Sequence, residues 1–268
     1  MAATKTTGFT ALLDVLGFKA LISGEGHAER LQKYLDTVRA ALAPIDGIGH
    51  VDVVTFSDSI VLTTRDDSSQ SLQSLLFRCS RVFWELLYAE IPIRGAVGHG
   101  SYFREESSAG SFVAGRAIVD AYELEIEQDW VGIALAATAL TKLPTLDDSW
   151  WSLKDTSAGG LGMTREFLAW KTVAQICGKI PFHKVHPLNN REQKGIAIVP
   201  TNVDLTLESF RPEKMQNSLK IAIQKLSRLQ ALAPTPEAQD KYVMPIEWLG
   251  EICINWQLVR NEWANVFG

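Results

Sequence analysis

The stretch VDVVTFSDSIVLTT, residues 51–64, contains two short runs that are rich in β-branched residues. The first run covers residues 51–56 and the second covers residues 60–64, and three small polar residues separate them. Such a pattern predicts a tight β-hairpin with Asp58 at its tip. The hairpin therefore places one acidic side chain at an edge of the predicted sheet.

The segments around this hairpin alternate between strand and helix patterns. Residues 9–16, FTALLDVL, predict a buried strand that holds one charged residue, Asp14. Residues 28–43 predict a helix that ends before Pro44. Its apolar stripe consists of Leu31, Leu35, Val38 and Leu42. The next segments predict a helix, a strand, a polar loop or hairpin, a helix and a strand, over residues 70–90, 91–100, 101–113, 117–128 and 131–136.

Two strand–helix–strand units around a central hairpin predict a ferredoxin-like α/β sheet. Its helices should cover one face and leave the other free for a ligand or a second subunit. In this strand order the first strand pairs with the hairpin, so Asp14 and Asp58 should converge at one edge of the free face. Two such carboxylates repel each other unless a cation lies between them, and Mg²⁺ and Mn²⁺ prefer oxygen ligands. Taken singly, each aspartate is typical of an ordinary strand end or turn.

Composition limits the classes of partner. The net charge is −5 and no basic block occurs, which disfavours nucleic acid. The three cysteines, Cys79, Cys177 and Cys253, lie far apart and lack metal-ligand spacing, so we interpret them as reduced, small hydrophobic residues. No apolar run approaches the roughly 20 residues that span a bilayer, and the N-terminus is a poor signal peptide. We therefore expect a cytosolic protein without a membrane partner.

The chain changes character after about residue 140. We expect residues 1–140 to form the core and residues 141–268 to form a mostly helical accessory region, which covers the sheet or contributes to a dimer interface. A strand is predicted at 195–203, and helices at 210–232 and 236–266. In the last helix, one face carries Trp248, Trp256 and Trp263, which is typical of a core or an interface.

Four segments of the core also resemble motifs of one enzyme family, in the same order. They are LLDVLGFKAL (12–21), TFSDSIVL (55–62), IRGAVGHG (93–100) and GRAIVDAYELE (115–125). They are similar to the first metal-binding motif, the second metal-binding hairpin, the arginine-to-glycine strand and the glycine-led helix of the class III nucleotidyl cyclases. The resemblance covers about the first half of the chain.

The resemblance implies a metal-dependent site at a subunit interface. Asp14, Asp58 and the carbonyl of Val15 would hold two Mn²⁺ or Mg²⁺ ions per site. The triphosphate would lie against the backbone N–H groups of Gly17, Phe18 and Lys19. The family also implies a head-to-tail homodimer with active sites between its subunits.

The chain departs from the purine cyclases of this family at three positions. Val119 and Glu123 stand where those enzymes carry an asparagine and an arginine on the glycine-led helix, and Val54 replaces the lysine that reads adenine. These differences disfavour a purine-specific enzyme. The transition-state cation stays open among four nearby residues, Lys19, Arg94, Arg104 and Arg116.

Base selection has two interpretations that the residues leave open. Asp52 either forms a structural pair with Arg94 or reads the edge of the base. His50 is either a solvated residue at the start of the strand or a base contact.

The segment GRAIVDAYELE is similar to the pyrimidine cyclases of bacterial Pycsar anti-phage defence. That resemblance implies a phosphorus–oxygen lyase that converts UTP, or else CTP, to the 3′,5′-cyclic monophosphate and pyrophosphate. The cyclic product would activate a separate effector protein. Two alternatives are an adenylyl or guanylyl cyclase with unconventional site residues and a catalytically inactive sensor that binds nucleotide.

Overall fold

The computed structural model describes residues 4–44, 49–107, 110–143, 177–181, 194–200 and 212–254. In chain order the elements are β1 (Thr4–Val15), α1 (Phe18–Leu21), α2 (His27–Leu42), β2 (Asp52–Phe56), β3 (Ser59–Thr63), α3 (Ser69–Tyr88), β4 (Ile93–Ser107), β5 (Gly110–Gly115), α4 (Arg116–Glu127), β6 (Gly132–Leu135), α5 (Ala137–Leu140), β7 (Cys177–Pro181), β8 (Lys194–Ile198), α6 (Pro212–Leu232) and α7 (Pro236–Asp240). Residues 243–254 are also helical.

The strands form one sheet in the order β2-β3-β1-β4-β6-β8-β7, and β5 pairs with β4 outside this path. The part β2-β3-β1-β4 is antiparallel throughout. Two interleaved strand–helix–strand units produce this order, so the predicted ferredoxin-like α/β fold is confirmed. Beyond it, β6 continues the sheet parallel to β4.

Side chains of β1 alternate between two different environments. Phe9, Ala11 and Leu13 are fully buried in the main apolar core, which also contains the buried side of α3. Asp14 points to the opposite side because successive residues of a strand face opposite ways. We call that side the Asp14 face. The helices α2 and α3 pack on each other, and right-handed crossovers place both of them on the core side of the sheet.

One helix lies on the Asp14 face, contrary to the expectation that this face is free of helices. A Cβ added to Gly98 of β4 would lie 2.3 Å from the carbonyl oxygen of Ala117 in α4. Gly98 is opposite Thr10 in the register, and Thr10 shares the Asp14 face. The missing side chain at Gly98 thus lets the helix backbone approach the strand, which alternation of apolar residues alone does not reveal.

The other half of the Asp14 face, over β2 and β3, is open in the described part of the chain. Val54 and Val61 lie opposite each other there and remain partly exposed. Phe56, at the end of β2, is 81% exposed. The face therefore has a half covered by α4 and an open half.

Residues of the second half of the chain join the same sheet. Strand β8 pairs with β6, and β7 pairs with β8. On the helical side, Ser80 Oγ of α3 donates a hydrogen bond to the carbonyl oxygen of Val199 at 2.6 Å. Lys225 of α6 forms an ion pair with Glu90 at 3.0 Å. The C-terminal half is thus connected to the core by both strands and helices.

The predicted helix over residues 236–266 is divided in the structure. Helix α7 ends at Asp240, and helical residues resume at 243. Trp248 is 5% exposed, which confirms its predicted place in a core. Trp256 and Trp263 lie outside the described residues. Among the described helices, none combines the length and apolarity that a membrane span requires.

Candidate functional site

Two aspartates meet where β1 ends. Asp14 lies in β1 between Ser59 of β3 and Arg94 of β4. Asp58 occupies the turn between β2 and β3, in which Ser57 adopts a left-handed φ of 56°. The N–H of Val15 donates a hydrogen bond to the carbonyl oxygen of Asp58 at 3.1 Å. The predicted hairpin with Asp58 in its turn is confirmed, and this bond ties the turn to the end of β1.

The environment of Asp14 makes its negative charge unfavourable. Burial, the charge of Glu125 and the charge of Asp58 together raise the pKa of Asp14 to about 6, while Arg94 opposes this shift. The side chain still keeps 26% of its surface exposed, so an ion from solvent can reach it. A carboxylate surrounded by like charges is stabilised by a cation.

The two aspartates fit a divalent cation that takes some of its ligands from the protein and the others from a bound substrate. Within the described residues, no three or more acidic, histidine or cysteine side chains cluster as metal ligands. Asp14 and Asp58 would therefore need further oxygen ligands. Mg²⁺ commonly uses one or two carboxylates together with substrate phosphates, which suits a pair of aspartates beside an open surface.

Arg94 lies between two carboxylates. Its guanidinium forms an ion pair with Glu125 of α4, and its Nε lies 4.0 Å from Asp14 Oδ2. An Nη1 hydrogen bond of 3.4 Å also joins Arg94 to the carbonyl oxygen of Gln128. The Glu125 side chain is only 5% exposed, so this arginine is its counter-ion inside the fold.

Sequence reasoning missed Glu125 as part of the site. The residue falls within the buried stripe of α4, which also contains Ala117, Ala121 and Leu124. The stripe also contains a second acidic residue, Asp120. An acidic residue at a position of the buried stripe is the signal that could have identified Glu125, because a buried carboxylate requires a partner.

Tyr34 of α2 is a second residue that the sequence prediction missed. It is 2% exposed, and its ring packs edge-on against Phe18 with centroids 5.7 Å apart. Burial and the charges of Asp58 and Asp14 raise the pKa of Tyr34 to about 12. The predicted stripe placed Leu35 on the buried side, but Leu35 is 37% exposed. The helix is rotated so that Tyr34, and not Leu35, lies on its buried side.

The turn after β1 begins with Gly17, which has a φ of 75°. A Cβ at Gly17 would meet no atom within 4 Å, so the left-handed backbone and not lack of space favours glycine there. The Gly17 carbonyl oxygen accepts hydrogen bonds from the N–H groups of Ala20 and Leu21. Within the described residues, the N–H groups of Gly17, Phe18 and Lys19 have no backbone acceptor.

Asp52 forms a separate cluster at the start of β2. Its carboxylate lies 2.6 Å from Arg104 Nη1, 3.1 Å from Arg65 Nε and 2.6 Å from His50 Nε2. Burial alone would raise the pKa of Asp52, but hydrogen bonds from Arg65 and His50 and the charge of Arg104 outweigh it and hold the pKa below its usual range. His50 itself is 61% exposed.

The suggested Asp52–Arg94 pair is wrong. Asp52 lies opposite Thr63, at one end of β3, whereas Asp14 lies opposite Ser59, at the other end. Arg94 is beside Asp14 and binds Glu125 instead. Strand register decides which arginine reaches which carboxylate, and residue types alone do not reveal it.

The remaining sequence-predicted residues are dispersed over α4. Arg116 is 65% exposed and pairs with Asp120 one turn along the helix at 2.5 Å. Val119 is 43% exposed, and Glu123 is 58% exposed and lies 3.9 Å from Arg116. Arg116, Val119 and Glu123 lie on the outer side of α4, away from the buried stripe to which Asp120 belongs. Within one chain they are therefore not gathered around Asp14.

Comparison with known proteins gives structural likeness only. No protein-family model matches the chain, and no curated protein matches it. The adenylyl cyclase CyaB from P. aeruginosa shares 15% identity and a TM-score of 0.42, over 53% of this chain and 83% of that one. The guanylyl cyclase domain of the RhoGC fusion protein from the aquatic fungus Blastocladiella emersonii shares 14% identity and a TM-score of 0.39, over 53% and 88%. The guanylyl cyclase Cya2 shares 12% identity and a TM-score of 0.41, over 77% and 100%. Likeness at this level carries no conclusion about activity.

Proposed function

We propose that this chain is a metal-dependent nucleotidyl cyclase that acts on a pyrimidine nucleoside triphosphate, UTP first and CTP second. Its products would be the 3′,5′-cyclic monophosphate and pyrophosphate. The observation that carries the proposal is the meeting of Asp14 and Asp58 beside the open half of the Asp14 face. Burial and the nearby charges of Glu125 and Asp58 make the negative charge of Asp14 unfavourable, which supports a divalent cation at this point.

Asp14, Asp58 and the Val15 carbonyl would hold two Mn²⁺ or Mg²⁺ ions. Such ions, when bound, activate the ribose 3′-hydroxyl and neutralise charge on the pyrophosphate. The contribution of the chain itself is to hold these ligands in position relative to one another. The bond from Val15 N–H to the Asp58 carbonyl fixes the turn against β1.

The triphosphate would bind at the turn after β1. Gly17, Phe18 and Lys19 offer three successive N–H groups without a described backbone acceptor, next to Asp14 in sequence. Lys19 is also exposed and can bring a positive charge to the phosphates. Backbone N–H groups in a turn of this kind favour anions.

The base would lie on the open half of the Asp14 face, against Val54 and Val61. The cluster of His50, Asp52 and Arg104 stands at the far end of this half, where it would border the base. Val54 supports a pyrimidine over adenine, because the purine-reading lysine of the resembled family is absent. The candidates for the transition-state cation are Lys19, Arg94, Arg104 and Arg116. Arg94 is favoured because its Nε lies 4.0 Å from Asp14 Oδ2.

A homodimer with sites at its interface would complete the open face. One side of α4 exposes Val119, Tyr122 and Ile126, which are spaced as a helical stripe and are 43%, 52% and 50% exposed. Phe56 is exposed at the hairpin. Apolar residues grouped in this way support burial against a second copy.

All proposed site residues lie within residues 1–140, and residues 141–268 would serve as an accessory region that extends the sheet.

The proposed product is a second messenger for anti-phage defence, read by a separate effector protein. The test of the activity is incubation of the purified chain with each of the four nucleoside triphosphates and Mn²⁺, followed by identification of products by mass. Cyclic UMP is expected, with cyclic CMP second. Cyclic AMP or GMP would instead indicate a purine cyclase, and nucleotide binding without product would indicate an inactive sensor.

A further inference from the structure

We infer that Glu125 is a positioning residue that holds Arg94 away from Asp14, so that the charge of Asp14 stays available to a cation. The inference rests on the proposed metal site and adds a role for two residues that do not themselves bind the ion. Its basis is a line of three side chains from β1, β4 and α4.

The register brings Arg94 and Asp14 together. They are directly opposite each other in the antiparallel pair of β1 and β4, and side chains at opposite positions are neighbours on one face. An arginine there would be expected to pair with the aspartate. Its Nε instead contacts Glu125 and stands 4.0 Å from Asp14 Oδ2.

Burial explains why Glu125 holds the guanidinium. The Glu125 side chain is 5% exposed, whereas that of Asp14 is 26% exposed. A buried carboxylate without a counter-ion costs more than a partly solvated one. The guanidinium is therefore better placed at Glu125, and Asp14 keeps its solvent-facing side.

The charges that remain match a divalent cation. Arg94 and Glu125 neutralise each other, which leaves the two negative charges of Asp14 and Asp58 at the end of β1. If Glu125 lost its charge, Arg94 could move the short distance to Asp14 and pair with it. One negative charge would then remain, and a dication would have to displace the guanidinium.

The experiment measures Mn²⁺ binding to the full chain by titration calorimetry at a fixed concentration of 3′-deoxy-UTP, which supplies the phosphate ligands but has no 3′-hydroxyl to react. Thermal unfolding confirms that each variant is folded. Glu125→Gln is expected to weaken Mn²⁺ affinity by about tenfold to a hundredfold, as is usual when a residue behind a metal ligand is changed. The double variant Arg94→Met with Glu125→Gln is expected to recover affinity to within about threefold of the original. Glu127→Gln, an equal charge change on the exposed side of α4, should bind as the original chain does.

Recovery in the double variant separates this role from a merely structural one. A structural pair predicts that the double variant is as weak as Glu125→Gln, and that result would overturn the inference. Unchanged affinity in Glu125→Gln would overturn it as well. If Glu125→Gln does not fold, Glu125→Asp replaces it, and a smaller loss of affinity is expected because the carboxylate is retracted. Absence of Mn²⁺ binding to the original chain would instead contradict the proposed metal site itself.

Discussion

The Asp14 face carries one aspartate at each end of β3, and the two have opposite surroundings. Asp52 has three cationic or potentially cationic neighbours within 3.1 Å, and its pKa is held below the usual range. Asp14 has one arginine at 4.0 Å and two acidic neighbours, and its pKa is raised to about 6. The chain supplies close counter-ions to Asp52, whereas at Asp14 the proposed metal ions would supply most of the positive charge. The first arrangement is typical of a structural ion cluster and the second of a binding site.

The largest expected effect of a substitution is on catalytic turnover, at the end of β3 where Asp14 and Asp58 lie. Asp58→Ala should reduce cyclase turnover by at least about a thousandfold, which corresponds to about 4 kcal/mol of lost transition-state stabilisation. Folding should be preserved, because Asp58 is a turn residue whose backbone carbonyl makes the bond to Val15. Product formation by mass and thermal unfolding measure the two effects. Near-normal turnover would contradict the assignment of Asp58.

The next largest effect is expected on the free energy of unfolding, at the end of β3 where Asp52 lies. Asp52→Ala should lower the free energy of unfolding by roughly 2–3 kcal/mol, because it removes the carboxylate that balances the charge of the half-buried Arg104. Arg104 is 18% exposed, while Arg65 is 69% exposed and can return to water, which keeps the loss moderate. Urea denaturation measures it. A loss below that of a surface ion pair would show that the cluster is not structural.

The two aspartates should also respond to pH with opposite sign. The pKa of Asp14 is raised from 3.8 to about 6 on folding, so its charged form opposes folding above about pH 6 and the penalty disappears as pH falls toward 3.8. Asp14→Asn should therefore stabilise the metal-free chain at pH 7.5 but not at pH 4. The pKa of Asp52 is lowered, so its contribution is present above its usual pKa of 3.8 and is lost as pH falls below that value.

Urea denaturation in EDTA at a series of pH values checks this contrast, with Asp52→Asn as the matched variant. Asp52→Asn should destabilise at neutral pH and lose its effect in acid. If the change in unfolding free energy had the same pH dependence in both variants, Asp14 and Asp52 would not differ in their electrostatic surroundings as described.

The smallest effect is expected at His50, the exposed member of the Asp52 cluster. The imidazole is 61% exposed, and exposed ion pairs contribute little, so His50→Ala should cost less than about 0.5 kcal/mol. If turnover with UTP also stays unchanged, His50 has no role in base binding. A large rise in KM with stability unchanged would instead make it a base contact.

The sequence predicted the fold well because the fold depends on local patterns. Alternating β-branched residues and small polar residues at the turn were sufficient for the hairpin, and the hairpin with its flanking helices determined the strand order. Contacts between long side chains were not predictable in this way. Whether Arg94 binds Asp52 or Glu125 depends on strand register. The register places Asp52 and Asp14 at opposite ends of β3, and Arg94 lies at the Asp14 end.

Helix rotation was a second limit of sequence reasoning. Hydrophobicity favoured Leu35 for the buried side of α2, but the structure buries Tyr34, whose ring has a partner in Phe18. The same limit applied to α4, which reaches the Asp14 face because Gly98 leaves space for its backbone. Both cases depend on the shape of a neighbouring element, which a helix's own sequence does not contain.

Counting the Mn²⁺ ions bound by variants at the two ends of the Asp14 face distinguishes a metal site at Asp14 and Asp58 from a structural ion cluster at Asp52. Equilibrium dialysis with UTP present would compare the original chain with Asp58→Asn and Asp52→Asn, both checked for folding. Asp58→Asn is expected to lose the bound Mn²⁺, and Asp52→Asn is expected to keep it. Equal Mn²⁺ binding by all three proteins would show that Asp58 is not a metal ligand.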